Sequence, residues 1–283
     1  MSHAMNAGES EKSIRKPVTF SGIGLHTGES ASVTLSPAAA GSGIRIRHRG
    51  SPSEMQPWGE SHAERRTRVG NGEHTVETVE HLMAAFYGLG ITNVDVNVDG
   101  REIPVFDGSS SFFVNAIVRS GIERQERPCE VFEVTEPLFF HSGNAVLAAH
   151  PCDSFRVTYT LDYNHPRLRA QTVSFDVNED VFIREIAPAR TFCTEEEAHA
   201  LKDKGFGKGA DTTNTLVISN LGPMDNAFRF PDECARHKVL DLIGDLAWAG
   251  RRIRGHIIAV RSGHSLNRML AQQMIKQKEG TKA

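Results

Sequence analysis

Residues 231–247 read PDECARHKVLDLIGDLA. The stretch predicts a helix. Pro231 and Asp232 supply a start, and acidic Glu233 falls in the first turn, where it meets the positive end of the helix dipole. Val239, Leu240, Leu242, Ile243 and Leu246 recur at helical spacing. Gly244 inside the helix costs about 1 kcal/mol relative to alanine. His237 and Asp241 are one helical turn apart and so share a face, and Asp245 continues the row. A neutral imidazole and a carboxylate so placed form half of a zinc site. An isolated His-x-x-x-Asp is a weak motif and reads first as a solvated polar row, so its meaning depends on the rest of the chain.

The chain has 283 residues and a net charge of -3. This length accommodates two domains with a core each. We place them at 1–126 and 127–283, with the charged run ERQERP as linker. The charge balance argues against nucleic acid as a partner. The four cysteines, Cys129, Cys152, Cys193 and Cys234, form no C-x-x-C pair and predict a reduced, cytoplasmic protein. The first residues lack an apolar leader segment. No apolar run reaches the roughly 18 residues of a membrane span, so integral membrane contact is not expected. Arg251, Arg252 and Arg254 are a local basic patch, read as a solvated strand end or, alternatively, a phosphate contact. Nothing in the sequence forces an oligomer, and a monomer is expected.

In the first half, residues 17–36 alternate like strands around a glycine-rich loop, SGIGLHTGE, that carries His26. GIRIRH reads as a half-buried strand. Residues 50–69 are polar and give no assignment. From Glu73, EHTVETVEHLMAAFYGLG reads as a helix ended by Gly88 and Gly90, with His74 a surface residue. Glu80 and His81 are neighbours in it and point about 100° apart. A metal held by His81 would leave Glu80 beside it, as ligand and base divide the work in H-E-x-x-H hydrolases. ITNVDVNV is a strand. Asp107 opens the next helix, as a cap or toward a ligand.

The second half begins with strand patterns. PARTFCTEEEAHALKDKG then turns from loop to helix, with Thr194 and Glu197 as a capping box. Thr191 sits where a hydroxyl and free amides can polarise a carbonyl. His264 stands at the start of the closing helix, a place that lowers an imidazole's pKa unless an anion is near. The halves echo one another. EHLMAAFYGLG, ITNVDVNV and DGSSSFFVNAI correspond to RHKVLDLIGDLAWAG, GHIIAV and SGHSLNRML. A seam between two such halves is a natural place for a pocket.

With SGIGLHTGE, TVEHLMAAFYGLGITN, EIPVFDGSS, ARTF, DECARHKVLDLIGDLA and RSGHSLN in order along nearly the whole chain, the sequence resembles the UDP-3-O-acyl-N-acetylglucosamine deacetylase family, the zinc amidases of bacterial lipid A synthesis. The resemblance implies an α+β fold of two similar two-layer sandwiches, helices on a mostly antiparallel sheet, with the site between them. It implies that His81, His237 and Asp241 hold zinc, with Fe(II) as the alternative metal. It implies Glu80 as general base and His264 as the protonated partner of the oxyanion and leaving amine. Thr191 would polarise the carbonyl, Lys238 and Asp245 would be accessory, and His26 and Phe192 would meet substrate. The implied substrate is a nucleotide-sugar lipid precursor, met in the cytoplasm with at most transient contact to a membrane surface.

The sequence departs from the family in two places. The loop HSGNAVL lacks the usual basic residue, leaving Lys208 or the arginine cluster as substitutes. After ARTF, Thr194 and Glu195 are polar where the family is apolar, Ala210 replaces a glycine and Thr213 an aspartate. The ligands and base are intact, so hydrolysis is expected. Another acetamido sugar, or a non-catalytic zinc-binding relative, are the competing readings.

Overall fold

The computed structural model describes residues 9–49, 51, 54–55, 66–71 and 74–280. The first half contains β1 (Ser10–Ile14), β2 (Val18–Ile23), β3 (Ser30–Pro37), β4 (Ile44–His48), β5 (Arg68–Asn71), β6 (His74–Glu77), α1 (Glu80–Leu89), β7 (Val94–Asp99), α2 (Ser111–Ser120) and β8 (Ile122–Pro128). The second contains β9 (Val131–Glu133), β10 (Leu138–Ser142), β11 (Ala145–His150), β12 (Phe155–Leu161), β13 (Gln171–Asp176) and α3 (Glu179–Val181). It continues with β14 (Phe192–Thr194), α4 (Glu195–Asp203), β15 (Leu216–Ser219), β16 (Gly222–Pro223), α5 (Glu233–Leu246), β17 (Arg252–Val260) and α6 (His264–Gly280). The fold is α+β, as expected from the sequence. Among the described residues, no helix is long and apolar enough to cross a membrane.

The two large sheets share one strand order. The first runs β2-β3-β7-β4 and the second β10-β11-β17-β12-β13. In each, the strand that follows the long central helix lies between one antiparallel and one parallel neighbour. The repeat heard in the sequence is therefore a repeat of topology. Alternation explains the central strands: Val94, Val96 and Val98 face inward, while Arg45 and Arg47 of β4 reach across the outer face to Asp95.

Helices α1 and α5 occupy corresponding places and pack on each other. Every residue of α1 is buried, because the helix lies between its own sheet and α5, and the buried side chains of both halves form one continuous core. Gly244 is what permits the contact. A Cβ there would collide with the Glu80 carbonyl oxygen, so the local helix penalty is offset by close approach of the two helices. Gly88 does not end α1 but lies inside it, under the Phe182 ring. Gly90, with φ of 72°, is the left-handed cap.

Three sequence expectations are corrected. The helix expected from Glu73 begins at Glu80. Glu73 lies outside the described residues, and His74–Glu77 is strand β6, paired antiparallel with β5. Thr78, at φ 58°, separates strand from helix. The run ERQERP is not a linker but most of β8, paired antiparallel with β1. Its polarity reflects its place as the exposed strand beside a largely buried β1, and the boundary drawn at 126 falls inside that strand. Asp107 does not cap α2. It accepts from the Ser109 amide and hydroxyl and from Arg229 Nη1.

Candidate active site

The N-terminus of α1 and one face of α5 meet beneath a cavity of about 860 Å³. That volume lies within the range of small-molecule sites. Glu80, His81, His237 and Asp241 line it and are 3, 4, 2 and 4% exposed. One nitrogen each from His81 and His237 and one oxygen from Asp241 lie within 4.8 Å of one another. His237 Nε2 is 3.4 Å and His81 Nε2 3.8 Å from Asp241 Oδ1. Ligand atoms about 2.0–2.2 Å from a tetrahedral zinc are separated by roughly 3.3–3.5 Å, so the set fits a divalent cation.

The protonation states fit as well. The Ala189 carbonyl accepts from His237 Nδ1 at 3.0 Å, which leaves the lone pair on Nε2. Burial holds both imidazoles below their ordinary pKa. For His81, with His237 close by, the value falls to about 3. Both rings are thus neutral, as ligands must be. Burial opposes the Asp241 charge, but Lys238 and the histidines hold its pKa below the usual carboxylate range. Lys238 Nζ donates to Asp241 Oδ2 at 2.8 Å. Burial works against the ammonium, and Asp241 nonetheless holds its pKa above the ordinary value.

Glu80 is pushed up to about 8 by burial and by Asp241 and Asp245, against the opposing pull of His264. Its Oε2 accepts the Thr67 amide at 3.1 Å. His264 is the first residue of α6, and Asp245, the next in the α5 row, accepts its Nδ1–H at 2.7 Å. Burial disfavours the imidazolium, but Asp245 outweighs it and raises the pKa to about 9. The anion that the sequence required at that helix start is therefore present. Asp245 is fully buried and also accepts from Thr67 Oγ1 at 2.6 Å and Asn267 Nδ2 at 2.9 Å.

The other expected residues converge on the same cavity. Thr191, Phe192 and His26 line it. Phe192 meets the His237 ring edge-on at 6.3 Å, and Lys238 Nζ lies 5.8 Å from the Phe192 centroid. Thr191 is fixed by its backbone, donating to Gly108 and accepting from Leu216. Its neighbour Arg190 forms a buried pair with Glu233 at 2.8 Å and also donates to Asn226 and the Ala227 carbonyl. That network anchors the segment whose Ala189 carbonyl orients His237.

The proposed substitutes for the missing basic residue are not in the cavity wall. Arg251, Arg252 and Arg254 pair with Glu130, Glu9 and Glu133. Lys208 packs against Gly28 and gives its amide to His26. Lys202 and Arg261, which the sequence reading did not single out, do line it. Nor does Thr194 set a polar wall. Its hydroxyl is committed to the α4 capping box, as expected. Thr67, in the stretch that gave no assignment, is the main omission. Position 66 and 67 side chains are buried, whereas 56–65 lie outside the described residues.

A sequence model of the family described as UDP-3-O-acyl N-acetylglycosamine deacetylase matches residues 11–276. A UDP-3-O-acyl-N-acetylglucosamine deacetylase of Geobacter sp. (strain M21) is 37% identical over 273 residues, covering 94% of this chain and 89% of the relative. Those of Leptospira biflexa and Chlamydia abortus are 37 and 38% identical, covering 95 and 94% of this chain and 91 and 97% of the relatives. On this match across nearly its whole length, the chain belongs to the UDP-3-O-acyl-N-acetylglucosamine deacetylase family and is an enzyme of that type.

Proposed function

We propose that the protein hydrolyses the N-acetyl amide of a UDP-3-O-acyl-N-acetylglucosamine, releasing acetate and the free amine for lipid A biosynthesis, and that it depends on zinc. The observation that carries this is the convergence of His81, His237 and Asp241 within 4.8 Å, beside Glu80, in one large cavity. Those three side chains would hold a zinc ion, which when bound would supply Lewis acidity and lower the pKa of water toward neutrality. Fe(II) is the alternative for the same donors.

The chain's own residues divide the remaining work. Glu80, with its raised proton affinity, takes the proton of the attacking water at a carboxylate oxygen. The Thr191 hydroxyl polarises the amide carbonyl. His264 has Nδ1 committed to Asp245, so its imidazolium delivers a proton from Nε2 to the departing amine. Lys238 balances the charge of Asp241. Phe192 and His26 form walls for the sugar, and Lys202, with Arg261 beside its partner Asp162, puts positive charge in the cavity wall for the diphosphate. Leu201, Val217 and Met224 give the same cavity an apolar side for an acyl chain. This side favours an acylated substrate over the alternative of a plain acetamido sugar. Because Glu80 and the His264–Asp245 pair accompany the ligands, a catalyst is favoured over a non-catalytic zinc binder. In this reading the two sandwich repeats of one chain complete the site between them in a cytoplasmic monomer.

Two measurements test it. Turnover of the acylated nucleotide sugar should exceed that of UDP-N-acetylglucosamine, and a chelator should abolish it. Equal rates would remove the acyl chain from the reading, and activity that survives chelation would remove the metal.

The acid role has a pH signature. His264 must be protonated to act, and its pKa is raised to about 9. The rate constant kcat/KM should therefore fall as pH rises through about 9. Asp245→Asn removes the anion that raises it. Burial then dominates, and the alkaline limb should move to lower pH. A limb that stays in place would assign the proton to another group.

A further inference from the structure

Glu102 is a buried carboxylate outside the reaction chemistry, 1% exposed, between β7 and α2. Its oxygens accept the His26 amide at 3.0 Å, the Thr27 amide at 2.8 Å and the Thr27 hydroxyl at 2.9 Å. Successive backbone N–H groups turned to one anion form a nest. Here the anion belongs to the protein, and the loop 24–28 is folded around it. A side chain at Gly24 would meet Glu102 Oε2 at 2.5 Å, and Gly28 has φ of 68°. Both glycines are required by that wrapping.

The other face of the loop is covered by the second half of the chain. Lys208 and Gly209 donate amides to the His26 and Leu25 carbonyls, and the Phe206 ring meets His26 edge-on at 5.8 Å. Arg66 lies 4.8 Å from the Phe206 centroid. Leu25 and His26 are thereby presented to the cavity. The same carboxylate accepts the hydroxyl of Thr78 at 2.8 Å, at the left-handed turn that precedes α1.

We propose that Glu102 is a positioning residue, whose carboxylate folds the 24–28 loop so that Leu25 and His26 form a wall for the nucleotide sugar. The proposal rests on the functional reading above for the identity of that substrate. It assigns to Glu102 an effect on substrate binding that passes through His26, and because Glu102 also holds Thr78 before α1, zinc content and kcat are read beside KM.

The test uses the full-length, zinc-loaded protein. Glu102→Gln places an amide donor where backbone donors already point. Hydrogen exchange at the His26 and Thr27 amides should accelerate about tenfold or more. KM for UDP-3-O-acyl-N-acetylglucosamine should rise about tenfold, with a smaller fall in kcat and unchanged zinc content. In a His26→Ala background the KM effect of Glu102→Gln should largely vanish, since both changes act on one element. Unaltered exchange in the loop would overturn the proposal. So would a KM effect that multiplies in full with His26→Ala, or a lower Tm with no separation of KM from kcat. If Glu102→Gln does not fold, Thr27→Val removes one donor and keeps the backbone ones, and the same readouts apply with smaller changes. A wild-type protein without turnover would sink the functional reading, while the exchange rates would still decide the role of Glu102.

Discussion

Glu80→Ala is expected to keep its full complement of zinc and to lose turnover by a factor of about 10²–10⁴, the usual contribution of a positioned acid or base. The two halves of this expectation have separate causes. Glu80 is not part of the trio whose ligand atoms cluster within 4.8 Å. Its oxygen is held by the Thr67 amide instead. Removing the side chain leaves His81, His237 and Asp241 in place, and elemental analysis should find the metal. The rate should fall because the two carboxylates that act on Glu80 from α5 are already engaged. Asp241 is tied to Lys238 and Asp245 to His264, Thr67 and Asn267. Burial raises the proton affinity of Glu80 to about 8, well above that of an ordinary carboxylate, which makes it a stronger base once a nearby cation favours its ionised form. Wild-type rates in this variant would refute the base assignment.

The elements that carry these residues were legible because they obey local rules. The period of α5 places His237, Asp241 and Asp245 on one row, and the alternation of Val94 to Asp99 gives the central strand. The capping box of α4 is a four-residue signal and formed as read. What was illegible is tertiary. The Ala189 carbonyl that sets the His237 tautomer has no side-chain signature, since every residue offers a carbonyl. Thr67 bonds Asp245 from 178 positions away, and no spacing rule joins them. Strand β8 reads as a charged linker because a largely exposed strand need not alternate. The row at Gly244 looked like a small helix penalty, and only the packing against Glu80 gives the glycine its purpose.

His237→Ala should lose the metal itself. In the proposed site the imidazole supplies one of three donors, and its Nδ1 bond to Ala189 holds Nε2 toward Asp241. Changes to outer partners of a ligand cost roughly 10–100-fold in metal affinity, and removal of the ligand should exceed that. The variant also leaves the Ala189 carbonyl without the ring that it accepts from, and a space beside Phe192, whose ring meets the imidazole edge-on. Zinc measured after dialysis should fall well below the content of the wild-type protein, with turnover falling in parallel. Activity alone does not separate this variant from Glu80→Ala, since both should be nearly inert. The pair does so through metal content, retained when the base is removed and lost when the ligand is removed. The same contrast reports on the wider architecture, because His81 comes from α1 and His237 and Asp241 from α5. A cation that bridges the two helices also ties the two halves together. Its loss should lower the Tm of His237→Ala by the binding free energy no longer added to the folded state, whereas Glu80→Ala should keep that increment. Zinc held by His237→Ala with unchanged affinity would show that the cation, if bound at all, is held elsewhere.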